Sequence, residues 1–217
     1  MSASFLQKLG VGRSAKVSNG VEQALLGSVV GSLKTAAFEP DRALVSAAGR
    51  RYYGGCQVIA SGIAPVSAIP TTTATLFLWN GEAAGGATYF IEEINYALGS
   101  GTAAAGAALM VCVTNIAQTA PSAASNYATQ SCSDGSRASR AVWGTAITVA
   151  TSAWKIARSS FQLAAANVGQ GDNPYQPNGA LAIPPGYGLG IAILSGTGTS
   201  PLYSVSVQWA ELDVDLE

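Results

Sequence analysis

The sequence predicts an all-β fold, a two-sheet antiparallel jelly-roll sandwich behind an N-terminal arm containing short helical pieces. Three observations carry that expectation. The run LYSVSVQWAEL alternates cleanly, with Tyr203, Val205, Val207 and Trp209 on one face and Ser204, Ser206 and Gln208 on the other. From Leu33 onward, short apolar runs alternate with Gly, Pro, Ser and Thr, the punctuation of consecutive strands and turns. The 217 residues suffice for one well-filled core, with two full domains a tight fit.

The elements follow in order. In residues 1–32, Phe5, Leu6, Leu9 and Val11, then Val21, Leu25, Leu26 and Val29 or Val30, recur near helical spacing, while five glycines interrupt them. This stretch is expected to be an arm, and residues 33–217 the jelly-roll domain. Candidate strands are 57–61, 73–79, 87–98, 107–115, 141–150 and 154–165, together with the runs around Leu189, Ile191 and Ile193 and around Trp209. That makes about eight, the number a jelly roll uses. The last two runs are expected to pair antiparallel across the Gly196–Pro201 turn.

Two alanine-rich stretches are ambiguous with helix. In TAAAGAALMVCVTN, Gly106 and the β-branched Val111, Val113 and Thr114 favour a strand. In 154–165, Trp154 and Ile156 fall on one face but Phe161 and Leu163 on the other; either a face switch at a bulge or a short helix fits, and strand is the reading adopted. Residues 118–139 and 169–179 read as long exposed excursions.

Composition restricts function. Charged residues make up 11% of the chain, against about 25% in an ordinary soluble domain, while 48% are hydrophobic. Ala, Gly, Ser and Thr must then cover much of the surface, as suits faces that meet other protein, where desolvating charge is costly. An oligomer or a larger assembly is expected. No apolar stretch reaches the roughly 20 residues of a spanning helix, and residues 1–17 lack a secretory pattern; no membrane partner is expected, and synthesis in a cytoplasm is. A net charge of −1 gives no general attraction to nucleic acid.

The chain has no histidine, which removes the commonest general base, the Ser-His-Asp and Cys-His constellations and imidazole metal ligands. Glu92 and Glu93 are the only adjacent acidic pair, and in a regular strand they point to opposite faces. A joint acid–base role therefore requires an irregularity; the simpler reading leaves one exposed and pairs the other with Arg50 or Arg51. Asp134, Asp172 and Asn173 have no calcium-loop spacing, and turns account for them. Residues 196–200, GTGTS, lack the GK[ST] ending of a phosphate loop. Cys56, Cys112 and Cys132 cannot all pair within one chain; Cys112 reads as a buried apolar residue and Cys132 as an inert thiol in a polar loop. No enzyme activity, cofactor or metal is expected.

Candidate contact residues remain. Arg50, Arg51, Tyr52 and Tyr53 form a locally basic, amphipathic run suited to an interface anchor. The apolar Phe5, Leu6 and Leu9 give the arm a contact face. Tyr127 and Tyr175, in the two polar excursions, are the candidates for recognition, whereas most of the four tryptophans fit core strands.

The stretch AIPPGYGLGIAILSGTGTSPLYSVSVQWAEL, residues 182–212, resembles the closing strands of trimeric jelly-roll proteins of tailed bacteriophage particles. TLFLWNGEAAGGATYFIEEINYALGSGTAAAGAALMVCV and LVSAAGRRYYGG look like earlier parts of the same kind of domain. The likeness covers about two-thirds of the chain, in style and strand order, and similar patterns occur in tumour-necrosis-factor-like and C1q-like trimers. It implies a homotrimeric virion protein on the capsid surface, a decoration or cement protein partnered with the major capsid protein. The alternative is a receptor- or glycan-binding fibre or tail-tip domain.

Overall fold

The computed structural model describes residues 14–16, 22–24, 45–58, 61–102, 106–133, 138–149, 154–161, 174–177, 180–196 and 198–213. The chain divides into two compact units, Met1–Leu44 and Val45–Glu217. In the first, β1 (Ser14–Lys16) and β2 (Glu22–Ala24) pair antiparallel. The described residues of the arm are thus strands where short helical pieces were expected; Phe5, Leu6, Leu9 and the other helically spaced positions lie outside the described residues. At 14–16 and 22–24 the two extended segments satisfy their backbone groups by pairing with each other.

Among its described residues the second unit holds ten strands: β3 (Arg51–Cys56), β4 (Thr73–Asn80), β5 (Thr88–Thr102), β6 (Gly106–Val113), β7 (Tyr127–Ser131), β8 (Ala141–Thr148), β9 (Lys155–Phe161), β10 (Ala182–Ile183), β11 (Gly188–Ser195) and β12 (Thr199–Leu212). They form two five-stranded sheets in the orders β10-β5-β12-β3-β7 and β8-β4-β11-β6-β9. All pairings within them are antiparallel, and four tie early strands to late ones in reverse order: β3 with β12, β4 with β11, β5 with β10 and β6 with β9. A long antiparallel hairpin rolled up in this way is a jelly roll. The β7 and β8 strands are an insertion at the tip of that hairpin, and each extends one sheet, β7 beside β3 and β8 beside β4.

The inward faces match the alternation read from the sequence. Tyr203, Val205, Val207 and Trp209 are buried, as are Leu189, Ile191 and Ile193, and all belong to one core cluster. Yet β11 and β12 do not pair with each other. They lie in opposite sheets and face one another across the core, so the expected hairpin is corrected to a crossover. Two runs that each turn one apolar face to the core satisfy that burial equally well by facing each other across a sandwich as by lying side by side, and β11 is buried on its other face too.

A strand expected at 57–61 lies instead upstream, at β3. Its two glycines resemble a loop in sequence, but both are buried because their neighbours leave no room. A Cβ on Gly54 would stand 2.9 Å from Trp143 Cζ2 and 2.8 Å from the Ala128 carbonyl. Of the two readings left open after Trp154, a bulge or a short helix, the bulge is present: Met110 pairs Ile156 while Leu109 pairs Arg158, leaving Ala157 as the extra residue. Buried Asn80 stitches the loops after β4 and β10 together, its Nδ2 donating to the carbonyls of Ala87 and Ile183 and its Oδ1 accepting from the Glu82 amide.

A second apolar cluster comprises Ala74, Phe77, Cys112 and Val149, with Trp79, Ile147 and Trp154 packed on it. It sits apart from the inter-sheet core. Cys112 is buried there, as its sequence context indicates.

Candidate functional site

The irregularity that Glu92 and Glu93 would need is built into β5. Gln208 of β12 pairs Glu93, but the next residue, Trp209, pairs Ile91, so Glu92 is extra in the ladder. Ile91 and Ile94 are both fully buried, and the two glutamates between them both stand away from the core. The bulge thereby overrides strict alternation and brings two carboxylates to one face.

Their partners are structural. Arg51 Nε donates to Glu92 Oε2 at 2.6 Å, with both side chains less than one-fifth exposed. Glu93 Oε1 accepts from Asn95 Nδ2 at 2.6 Å, and its Oε2 accepts from Gln176 Nε2 at 3.2 Å. Acid–base work by two carboxylates needs one of them kept protonated by apolar or like-charged surroundings. Here one faces a guanidinium and the other two amide donors. Among the described residues, no group of three or more His, Cys, Asp or Glu side chains is placed to hold a metal ion. Asp134, Asp172 and Asn173 lie outside the described residues.

The Arg50–Tyr53 run separates into different roles. Arg50 pairs Asp213 at 2.6 Å and Arg51 pairs Glu92. Tyr52 is a core residue, 1% exposed and stacked on Trp209. This corrects its reading as a surface anchor: alternation in β3 turns Tyr52 inward and leaves only Tyr53 exposed, its hydroxyl donating to Gln130 Oε1.

Tyr127 is likewise corrected. The expected excursion 118–139 contains β7, which pairs with β3, and Tyr127 opens that strand with its ring stacked on Trp143 at 5.5 Å. Sequence gave little warning, because the strand YATQS is short and polar on both sides. Tyr175 is half-buried and bridges Ile94 through both backbone hydrogen bonds. Tyr127 is thus a packed core ring, whereas Tyr175 is tied through its backbone and keeps part of its side chain exposed.

Trp209 is the centre of the aromatic core. Tyr52 and Tyr89 stack on it at 6.0 and 6.1 Å, and Trp143 meets it edge-on at 6.3 Å. Beyond it, buried Glu211 accepts from Trp209 Nε1 and from Ser139 Oγ.

Burial pushes the Tyr89 phenol well above its ordinary value, and the Glu211 carboxylate adds to the effect. Burial, with Cys56 alongside, does the same to Tyr127. Above about pH 10 the unfolded chain releases these protons while the folded chain keeps them. Stability is therefore expected to hold below that pH and to fall as pH rises further. Urea unfolding midpoints at stepped alkaline pH test this, and Tyr127→Phe should make the fall shallower.

The exposed described residues carry little charge. Among the described residues that are exposed, only Arg140, Lys155 and Asp213 are charged, and Asp213 is already paired with Arg50. Thr, Ser, Ala, Gly, Asn and Gln make up most of the rest, joined by the exposed apolar Val58, Ile69, Ile116 and Ile156.

Two clefts flank the segment 61–67, which connects β3 to β4. That segment is held by backbone bonds from Ile63 to Tyr203 and from Val66 to Ile193 and Ser195. On one side lies a cleft of about 420 Å³ whose walls include Ser61, Thr75, Asn126 and Thr145. On the other, Pro65, Gly196, Gly198, Pro201 and Leu202 line a cleft of about 480 Å³. Sequence did not mark either, because their Ser, Thr, Ala and Gly residues match the composition of the whole chain.

A two-sheet jelly roll whose exposed described residues are nearly all uncharged, with a structurally tied carboxylate pair, is the class of protein that fold and site define. Comparison of the chain with protein-family models, with curated proteins and with solved structures returns no match.

Proposed function

We propose that the chain is a non-enzymatic structural protein of a phage virion, a capsid decoration or cement protein. In this reading it forms a homotrimer on the capsid surface and stabilises the head by bridging major capsid subunits.

One observation carries the reading: the near-absence of charge from the exposed described residues. An ordinary soluble domain keeps roughly 25–35% of its surface as Lys, Arg, Glu and Asp. Protein interfaces are depleted of charge at their centres, since each buried charge must be desolvated and then paired. An exterior of hydroxyls, amides and methyl groups meets another protein surface without that penalty. The resemblance of residues 182–212 to the closing strands of phage trimers selects the virion among possible assemblies. In this reading the apolar Phe5, Leu6 and Leu9 of the arm are the residues that meet neighbouring capsid subunits.

Light scattering on the purified protein, followed by co-sedimentation with capsids, tests the proposal. A homotrimer that binds expanded capsids and ignores immature ones is the expected result; a stable monomer without capsid affinity overturns it. Removing residues 1–32 is expected to leave the β unit folded and trimeric while reducing capsid attachment.

A further inference from the structure

We infer that the cleft beside Ser61 and Thr75 is a binding site for a neutral saccharide. This goes beyond the assembly role, which does not require it.

Five residues with hydroxyl or amide side chains line this cleft: Ser61, Thr75, Ser125, Asn126 and Thr145. Within the chain, none of the five uses its side chain in a hydrogen bond to another described residue. The contrast with the Glu92 and Glu93 patch is direct, since there Arg51, Asn95 and Gln176 already occupy the carboxylates. Unspent donors and acceptors on several separate segments, all facing one concavity, match a ligand that offers many hydroxyls, each able to donate and to accept. The cleft, at about 420 Å³, falls within the roughly 300–1,000 Å³ of small-ligand sites.

Among the described residues, none that lines the walls is charged. A sialylated or phosphorylated sugar would leave its anion uncompensated there, so the chemistry selects an uncharged saccharide. A peptide is less well matched: among the described residues of the lining, Ile63 and Tyr127 are the only large apolar ones, and both are more than nine-tenths buried, so they offer little apolar surface to a peptide side chain.

The cleft is also held in shape. Ile63 is tied to Tyr203 by two backbone bonds, the Gln57 amide donates to the Asn126 carbonyl, and the Ala124 amide donates to the Trp143 carbonyl. Ala146, in the cleft wall, has φ of 53°, a left-handed conformation that non-glycine residues rarely adopt. Such strain persists where surrounding bonds over-determine the backbone, and it concentrates at binding sites.

The experiment is saturation-transfer difference NMR on the full-length protein with maltose, lactose, diacetylchitobiose and sialyllactose, plus an alanine-proline peptide. At least one uncharged sugar is expected to bind. Thr145→Trp, which fills the cleft, and the double substitution Ser125→Ala with Asn126→Ala, which removes hydrogen-bonding groups without filling it, should each weaken binding at least about tenfold at an unchanged melting midpoint. Gly198→Trp, in the neighbouring cleft, should leave binding intact. The proposal is overturned if no neutral sugar binds, if only sialyllactose or the peptide binds, or if Thr145→Trp binds as the parent does. None of these outcomes depends on trimer formation or capsid binding, so the two readings fail separately.

Discussion

Trp209→Ala is expected to destabilise the β unit by about 3–5 kcal/mol, the range for removing a large buried aromatic. That corresponds to a fall of roughly 6–20 °C in melting midpoint for a chain of this size. The indole is fully buried and touches three other rings, Tyr52, Tyr89 and Trp143. Its strand, β12, pairs with both β5 and β3, so a cavity at Trp209 loosens the centre of one sheet. The indole Nε1 also donates to Glu211, and its loss takes one donor from a buried carboxylate. Trp209→Phe should recover part of the packing but not that hydrogen bond, and lie between the two. Denaturant unfolding checks the order; a Trp209→Ala protein within 1 kcal/mol of the parent would mean that the aromatic cluster is not the centre of stability.

The second large effect is expected from the smallest change, Gly188→Ala. A Cβ at this position would stand 2.0 Å from Phe77 Cζ and 2.6 Å from both Cε atoms. Phe77 is itself fully buried, so the ring has no free space to move into. Overpacking of this kind costs about 1–3 kcal/mol, and the upper end applies where the obstacle is a closely held ring. The contact can be isolated by a double-mutant cycle. In a Phe77→Leu background, Gly188→Ala should lose at least half of its cost, because the atoms that obstruct the methyl are gone. Equal costs in both backgrounds would place the strain elsewhere.

Several features of the fold are readable from local sequence because their cause is local. In β12, the period of two is set by the pleat, and side chains two residues apart share a face whatever the strand's neighbour is. The apolar face therefore predicts the buried face, as Tyr203, Val205, Val207 and Trp209 show. The break in period after Trp154 allows either a bulge or a short helix, and the ladder between β6 and β9 holds the bulge.

Other features have causes that are distant in the chain. Gly54 and Gly55 look like loop residues until Trp143 and Ser206 are seen pressing on them. Tyr52 and Tyr127 look like surface aromatics, yet the first packs on Trp209 and the second on Trp143. Alternation tells that one face of β11 and of β12 is buried, but not that they belong to opposite sheets.

Composition and strand periodicity alone determined the β class, the buried face of the clearest strands, the lack of histidine chemistry and the scarcity of charge. The tertiary structure decided which strands pair, the insertion of β7 and β8, the placing of Glu92 and Glu93 on one face and the gathering of Ser61, Thr75, Asn126 and Thr145 around one cleft. The division has a physical reason: side-chain direction depends on one residue's backbone and its immediate neighbours, whereas pairing, bulges and clefts depend on contacts between segments far apart in sequence.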